Sequence, residues 1–316
     1  MDPLLVVIVT FGLIFVVTAS LGQGFAMTTE GFWDTLGAKG QLNVMLLISN
    51  FVVLPALMIG LASLIDFDPQ VKMGIVVLAI TAGAPFIPWL VSRANGDIGY
   101  SVVVSFGLTL VTIVALPLAL PPLLRALDTE ASPSVWLVAW PLLLFMLLPL
   151  VVGMICRARY PELVAEVGPW LGPLSITFLA VHVCLYIGYS WHDFLSLTGG
   201  GDFAFALAFP VAGLLIGYLL SPPYVLSPVP AAHPQRGAKI VSAVAVAQQN
   251  TGAVICCLIF PLGDYLVAGD FGLLGAILTI VAVLAVMLEL GRRVAQKGTV
   301  PAGQATPAAP AAQAAQ

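Results

Sequence analysis

The sequence predicts an all-α polytopic membrane protein, on the basis of its composition, its long apolar segments and two interruptions within those segments. Of the 316 residues, 60% are hydrophobic and 8% are charged, whereas soluble domains are about one quarter charged. In lipid the backbone has to satisfy its own hydrogen bonds, and a helix does so within one segment. We therefore expect a bundle of helices with the lipid bilayer as its main partner.

The apolar segments number about nine, and each has the roughly 20 residues that a helix needs to cross a bilayer. They are residues 3–22, 41–65, 71–94, 98–121, 135–156, 168–190, 203–221, 237–263 and 269–290. No basic residue precedes Lys39, so the first segment lacks the basic region of a signal peptide. We keep it as a membrane span.

Positive charges are distributed unequally between the two ends of a nine-span bundle. Lys and Arg favour cytoplasmic loops, so their distribution predicts orientation. One end receives Lys39, Arg93, Arg157, Arg159, Arg236, Lys239, Arg292, Arg293 and Lys297. The other end receives Lys72 and Arg125. The N-terminus is therefore predicted outside and the C-terminus in the cytoplasm. No basic run is long enough to follow a nucleic-acid backbone, so we expect no nucleic acid as a partner.

Two of the spans are interrupted near their middle. Span 71–94 contains Thr81-Ala82-Gly83-Ala84-Pro85 followed by Pro88, and span 237–263 contains Gln248-Gln249-Asn250-Thr251-Gly252. Non-helical backbone at membrane depth is tolerated only where it is buried in protein or lines a wet cavity. Paired interruptions of this kind are typical of secondary transporters and point to the substrate site.

The position of the interruptions suggests an inverted repeat within a transmembrane domain of residues 1–293. Each interrupted span follows two others and precedes one, so a first repeat of about 3–121 corresponds to an inverted second repeat of about 168–290. The helix 135–156 is left over between them. Such repeats cross two discontinuous helices near the membrane midplane. Residues 294–316, rich in Ala, Pro and Gln, are predicted to form a disordered cytoplasmic tail.

The interruptions supply most of the candidate binding residues. Residues 248–251 are four consecutive hydrogen-bonding side chains at predicted mid-membrane, where an unsatisfied amide costs roughly 2–7 kcal/mol. Contacts that merely join helices usually use one or two polar residues on one face, so the run favours a binding site. Pro85 alone would indicate only a kink. We assign substrate binding to Thr81, Pro85, Gln248, Asn250 and Thr251.

His182 lies near the middle of span 168–190. Ionisable groups inside a membrane are usually functional, and histidine titrates near neutral pH. A neutral imidazole bonded to a carbonyl is an equally common structural element, and both interpretations stay open. We add His182 to the substrate site and expect it to bind the proton if transport is proton-coupled. The carboxylates, Asp270 among them, are predicted in loops or at span ends, which leaves no catalytic or metal-binding cluster, so we expect no enzyme.

At the two interruptions the chain resembles the bile acid:sodium symporters. The run from Ala247 to Ala253 is similar to the Gln-Asn-Ser-Gly stretch of their second crossover helix, and Gly83-Ala84-Pro85 with Ser101 is similar to the first. A divergent bacterial branch with Gly-Ala-Pro-Phe-Ile-Pro resembles it most, over nearly all of residues 1–293. The resemblance implies a ten-helix fold of panel and core domains, here without the first helix. It also implies sodium-driven uptake of an organic anion across a bacterial inner membrane.

The same resemblance puts the coupling ion in question. The family's Ser-Asn pair and the Glu that bind sodium correspond here to Ile87, Pro88 and Ala245. The resemblance leaves four possible ligands, which would form a degenerate sodium site: Asn50, Ser101, Ser105 and Gln249. Sodium is thus the single cofactor considered, and coupling of the usual stoichiometry is not expected.

These observations predict a secondary active transporter of a small organic anion that works by alternating access. Few fixed charges lie near the interruptions, which argues against a multiply charged substrate. The first alternative is a sodium-independent or proton-coupled exporter or uniporter of the auxin-carrier or arsenite-carrier type. The second is a membrane receptor that binds a ligand without moving it. The sequence leaves the oligomeric state open.

Overall fold

The helices of the chain follow the apolar segments closely. We analysed a computed structural model that describes residues 2–129, 131–198, 200–220 and 234–298. Its helices are α1 (Pro3–Ala26), α2 (Thr29–Ala38), α3 (Gly40–Leu64), α4 (Pro69–Ala79), α5 (Ile87–Arg93), α6 (Ile98–Ala126), α7 (Val135–Arg159), α8 (Pro161–Tyr189), α9 (Trp191–Thr198), α10 (Gly201–Leu219), α11 (Pro234–Ala247), α12 (Thr251–Ile259) and α13 (Leu266–Gly298). Two of them, α3 and α7, each contain one wide π turn.

The predicted all-α membrane fold is confirmed. Among the described residues, eight helical segments are long and apolar enough to cross a membrane, and the broken pair α4–α5 occupies the position of the ninth predicted span. The observed helices differ from the predicted spans mainly at their ends. Helix α8 begins at Pro161, before the predicted start at residue 168, and α13 continues to Gly298, beyond the predicted end at residue 290. The rest of the predicted tail, residues 299–316, lies outside the described residues.

The first break follows from glycine and proline chemistry. Helix α4 ends at Ala79, and Gly83 has a φ of 85°, a left-handed conformation that glycine adopts without the steric cost of a Cβ atom. Ala84 precedes Pro85, and a residue before proline is driven away from helical geometry. The chain becomes helical again at Ile87, where Pro88 lies in the first turn and needs no hydrogen-bond donor.

Asn250 defines the second break. Helix α11 ends at Ala247 and α12 begins at Thr251. The Asn250 side chain accepts a hydrogen bond from the Ala253 N–H at 3.1 Å, which is the usual N-cap arrangement. Its side-chain Nδ2 also donates to the Gly83 carbonyl across the bundle at 3.1 Å. The two breaks therefore meet, as the sequence predicted from their equivalent depths.

The helices fall into two packed groups. Helix α1 packs extensively against α7 and against α8, while α3–α6 and α10–α13 pack around the breaks. Gly24 of α1 and Gly153 of α7 lie so close that a Cβ atom on either would meet the other backbone. This arrangement agrees with the expected panel and core; the inverted relation of the two repeats stays a prediction.

A close helix contact also shields the second broken span. A Cβ atom on Gly213 of α10 would lie 2.7 Å from the Val246 carbonyl oxygen, so α10 can approach α11 only with glycine here. We expect Gly213→Ala to lower the free energy of unfolding by about 1–3 kcal/mol, the usual cost of overpacking. Gly172→Ala is the control, because a Cβ atom there meets nothing within 4 Å. Thermal unfolding of both variants in detergent checks this, and equal midpoints would contradict it.

Four segments with positive charge meet at one end of the bundle. Lys39 Nζ lies 2.7 Å from Asp97 Oδ2, Gly237 lies against the backbone of Asp97, and Gly291 lies against the Arg93 carbonyl. All of these segments were predicted on the positively charged side of the membrane. Their grouping agrees with the predicted distribution of charge, and the assignment of this end to the cytoplasm stays a prediction.

The Asp97 carboxyl group makes the stability of the fold depend weakly on pH. Partial burial raises the pKa of its carboxyl group, but hydrogen bonds from Lys39 and the Tyr100 N–H, together with the Lys39 charge, outweigh burial and lower the pKa overall. A lowered pKa stabilises the fold above the unfolded value of about 3.9, and this contribution is lost as the pH falls through the folded value.

We therefore expect Asp97→Asn to abolish a small, acid-sensitive part of stability. Asparagine can still cap α6, so the variant removes the charge and keeps the cap. The loss should stay below about 1 kcal/mol because the pair is partly exposed. Unfolding midpoints of wild type and variant should converge towards pH 3; a difference that does not change with pH would contradict the ion pair's role.

Candidate functional site

One face of α6 satisfies the backbone of the first break. Thr112 Oγ1 donates to the Ala82 carbonyl and accepts from the Ala82 N–H, each at 3.0 Å. Thr109 Oγ1 donates to the Gly83 carbonyl at 2.5 Å, and Ser105 Oγ donates to the Ala84 carbonyl at 2.8 Å. Buried backbone groups need such partners. Most polar groups of this break are thus already bound to protein.

Two amides converge on the same break. Gln23 of α1 donates through Nε2 to Ser105 Oγ at 2.7 Å and to the Gly83 carbonyl at 3.2 Å. Asn250 donates to the Gly83 carbonyl from the other side at 3.1 Å. The Gly83 carbonyl therefore joins the panel helix α1, the first break and the second break in one buried network.

The second break differs because some of its polar atoms have no partner. Gln249 Oε1 accepts from Thr279 Oγ1 of α13 at 2.9 Å. Among the described residues, however, both side-chain atoms of Gln248 and the Thr251 hydroxyl are buried and form no hydrogen bond. Gln248 and Thr251 are each 1% exposed. Buried polar groups normally have partners, so these three atoms are suited to binding a ligand.

Two cavities lie along the seam between the panel and the core. The first-break cavity, of about 290 Å³, is lined by Gln23, Pro85, Trp89, Ser105, Gly172 and Ser175, among others. The second-break cavity, of about 70 Å³, is lined by Ile8, His182, Tyr186, Thr251, Ile255 and Gly269, among others. Both cavities touch α1 and α8, but at opposite ends of these helices. The breaks thus separate two chambers.

Aromatic and aliphatic side chains fill the space between the chambers. Phe15 of α1 is fully buried and stacks on Phe86 of the first break, with ring centroids 6.0 Å apart. Val16 lies beside Gly252. A ligand could move from one chamber to the other only if α1 and the breaks shifted relative to one another.

His182 reaches the second-break cavity and has a backbone partner there. Its Nδ1 lies 2.9 Å from the Ile8 carbonyl oxygen. A carbonyl only accepts, so this geometry requires the hydrogen on Nδ1. The structural interpretation thus agrees with the contact to Ile8, and a role of His182 in binding substrate or a proton stays a prediction.

The other predicted substrate residues lie near the breaks, but they differ in their hydrogen bonds and in the cavity that they line. The Thr81 hydroxyl donates back to the Leu78 carbonyl at 3.2 Å and is buried. Pro85 lines the first-break cavity. Of the predicted set, His182 and Thr251 share the second-break cavity, and Asn250 joins the breaks. Their role in binding stays a prediction.

The four residues of the predicted sodium site do not share one set of hydrogen bonds. Asn50 Nδ2 donates to the Leu46 carbonyl at 2.9 Å and Ser101 Oγ donates to the Ile98 carbonyl at 2.6 Å, each within its own helix. Ser105 belongs to the first break and Gln249 binds Thr279. Ile87 and Ala245, which stand where the family has sodium ligands, are fully buried apolar residues. The degenerate sodium site stays a prediction.

Sequence reasoning missed four polar residues. Thr109 and Thr112 continue the helical face of Ser101 and Ser105 at a spacing of three and four residues, a signal that was visible in the sequence. Gln23 lay one residue beyond the first predicted span. Asp270 was placed at a span end, yet it is 0% exposed in α13. Only packing against other helices explains its burial.

Comparison with known proteins agrees with this architecture. The profile of the Sodium Bile acid symporter family matches residues 10–195, which include the first break and end before the second. The probable sodium/metabolite cotransporter BASS1 of the chloroplast in Arabidopsis thaliana is 21% identical over 201 residues. That alignment covers 64% of this chain and 49% of the relative, so the chain spans about half the length of that relative.

Proposed function

Because this chain belongs to the sodium bile acid symporter family, we propose that it transports a small monovalent organic anion by alternating access around its two breaks. The family match covers more than half of the chain, which confirms the resemblance to this family. A multi-pass membrane transporter follows from the family. The substrate, the direction and the coupling ion are the proposed part.

The observation that carries the proposal is the set of unpaired atoms at the second break. Gln248 Nε2 and the Thr251 hydroxyl are buried donors without partners among the described residues. Thr251 is the first residue of α12, where backbone N–H groups and the helix dipole favour a negative charge, and Gln248 lies three residues before it. One carboxylate or sulfonate group fits such a site. A second negative charge would need an Arg or Lys, and the described lining of both cavities contains neither.

The two chambers support alternating access. The first-break cavity opens beside Gln23 and Ser105, while the second-break cavity reaches Thr251. A substrate bound by Gln248 and Thr251 would pass between them when the panel moves against the core. Phe15 and Phe86 would separate in that movement, because their stack closes the direct path. We place the protein in a bacterial inner membrane, with its N-terminus outside.

Sodium coupling in the family's usual form is not part of the proposal. Ile87 and Ala245 offer no oxygen from their side chains, and a cation needs several oxygen ligands to leave water. A proton needs only one acceptor atom. A sodium-independent or proton-coupled carrier is therefore the second candidate, favoured by these two substitutions.

Transport by purified protein in liposomes tests the proposal. The probes are labelled taurocholate, as a large amphipathic anion, and labelled benzoate, as a small one, each under an inward sodium, potassium or proton gradient. We expect accumulation of at least one monovalent anion, with no special effect of sodium. Strict dependence on a sodium gradient would contradict the assigned coupling. Binding of a probe without accumulation would instead indicate a receptor and overturn the transport proposal.

A further inference from the structure

A second group of unpaired polar atoms lies away from the breaks, at the far end of the second-break cavity. Asp270 of α13 is 0% exposed, and among the described residues neither of its carboxylate oxygens forms a hydrogen bond. The Ser190 hydroxyl, between α8 and α9, is also buried without a hydrogen bond. The proposed transport mechanism uses neither side chain.

The two orphaned side chains face each other. The Ser190 hydroxyl is near enough to Asp270 and to Tyr186 to act on both side chains, although its geometry completes no hydrogen bond to either. Asp193 acts on both through its charge. Tyr186 also brings its hydroxyl against Gly269, the neighbour of Asp270. The cluster therefore contains two carboxyl groups, one hydroxyl and one phenol. No positively charged side chain acts on Asp270 within the described part of the chain.

A buried carboxylate in such surroundings requires a positive partner. An isolated charge without hydrogen-bond donors is strongly disfavoured inside a protein, and a nearby carboxylate makes the charge less favourable still. A proton removes both difficulties. The carboxylic acid is neutral, and it can donate its hydrogen to the Ser190 oxygen, which lacks a partner.

We propose that the Asp270 carboxyl group is a proton-binding site, with the Ser190 hydroxyl as acceptor in the protonated state and the second-break cavity beside it. One proton joins one carboxylate oxygen on binding, and the same O–H bond breaks on release. Asp193 of α9 is exposed and acts on Asp270 through its charge, so the cluster lies close to solvent. The sequence assigned this role to His182, which lines the same cavity.

The role of this proton in coupling rests on the proposed function, because the Tyr186 ring links the cluster to the substrate chamber. Tyr186 and His182 both line the second-break cavity with Thr251, and their rings lie 6.0 Å apart. A change of charge at Asp270 therefore alters the electrostatic potential at the wall of the second-break cavity, which Thr251 also lines. Titratable groups that face Asp270 are Asp193 from α9 and Tyr186 from α8.

The experiment measures thermal unfolding of the purified full chain across a pH series in choline chloride, without substrate. Above about pH 4 an unfolded aspartate is ionised, so a proton held only by the folded state stabilises less as the pH rises. We expect the unfolding midpoint of wild type to fall with rising pH relative to Asp270→Asn. The control Asp66→Asn, an exposed aspartate outside the cluster, should keep the wild-type slope.

Infrared spectroscopy provides a second, direct readout. Wild type should show the carbonyl stretch of a protonated carboxylic acid that Asp270→Asn lacks. Should that variant fail to fold, Ser190→Ala takes its place, because removing the hydroxyl that acts on Asp270 should move the pH transition. The same pH profile in wild type and Asp270→Asn, or an unmoved transition in Ser190→Ala, would overturn the proposal.

A sodium series at constant pH separates the two coupling ions. A saturable, sodium-specific rise in the wild-type midpoint that is lost in Asp270→Asn would show a sodium site and overturn the assignment to a proton. All of these measurements are made without transport. A protein that binds a proton at Asp270 but accumulates no anion would therefore refute the proposed function and leave the proton site intact.

Discussion

Replacing Gly83 with alanine is expected to abolish transport and to destabilise the protein by about 2–5 kcal/mol. A non-glycine residue in the left-handed region costs roughly 1–2 kcal/mol, and Gly83 has a φ of 85°. The added Cβ atom would also lie 2.7 Å from the Leu108 carbonyl carbon and meet the Thr109 backbone nitrogen, which adds an overpacking cost of about 1–3 kcal/mol. The Gly83 carbonyl would then be displaced from Gln23, Thr109 and Asn250.

Gly60→Ala in α3 is the matched control, since a Cβ atom there meets nothing within 4 Å. Unfolding midpoints in detergent and initial uptake rates in liposomes are the two measurements. We expect the control to match wild type in both. A Gly83→Ala protein with normal uptake would show that the meeting of the two breaks is not needed for transport.

Replacing Gln248 with leucine is expected to separate function from stability. The amide of Gln248 forms no hydrogen bond within the described residues, so removing it should leave stability unchanged or raise it by about 1 kcal/mol, because no buried partner is orphaned. A hydrogen bond to a charged ligand contributes about 1.5–3 kcal/mol. Anion affinity should therefore fall roughly tenfold or more.

Gln249→Leu provides the contrast one residue away. That substitution removes the acceptor of the Thr279 hydroxyl and leaves it buried and unpaired, at a cost of about 1–3 kcal/mol. Apparent substrate affinity and unfolding midpoint, measured on both variants, should thus change in opposite ways. If Gln248→Leu loses stability and keeps its affinity, the amide is a structural residue and the anion binds elsewhere.

The spans were predictable because every helix that crosses a bilayer needs about 20 mostly apolar residues. Hydrophobicity alone gives the position of α1 or α6, and the interruptions at Gly83 and Asn250 stand out against that background. Their meeting was inferred from equal depth along two spans. The hydrogen bond from Asn250 to the Gly83 carbonyl shows the inference to be sound, although the residues are far apart in sequence.

Other features depend on neighbours that the sequence does not reveal. Gln23 finds its partners on α6 and at the first break only after folding. Asp270 is an ionisable residue near a span end, where a carboxyl group is ordinarily solvated; its burial depends on how α8 and α9 cover α13. That Gln248 stays unpaired while Gln249 is bound to Thr279 likewise follows from packing, since the two amides are neighbours in the chain.

The complete enclosure of the second broken span has a consequence for how the protein enters the membrane. The most apolar window of Gly237–Ile259 is 100% buried and has a mean hydropathy of 1.4, against 2.7 for Leu266–Arg293. Lipid therefore contributes little to holding this segment in place, and its amides oppose partition into hydrocarbon. Its insertion has to be helped by α10, synthesised just before it, and by α13, synthesised just after. We therefore expect the three helices to insert cooperatively, with the second broken span the last to lose water.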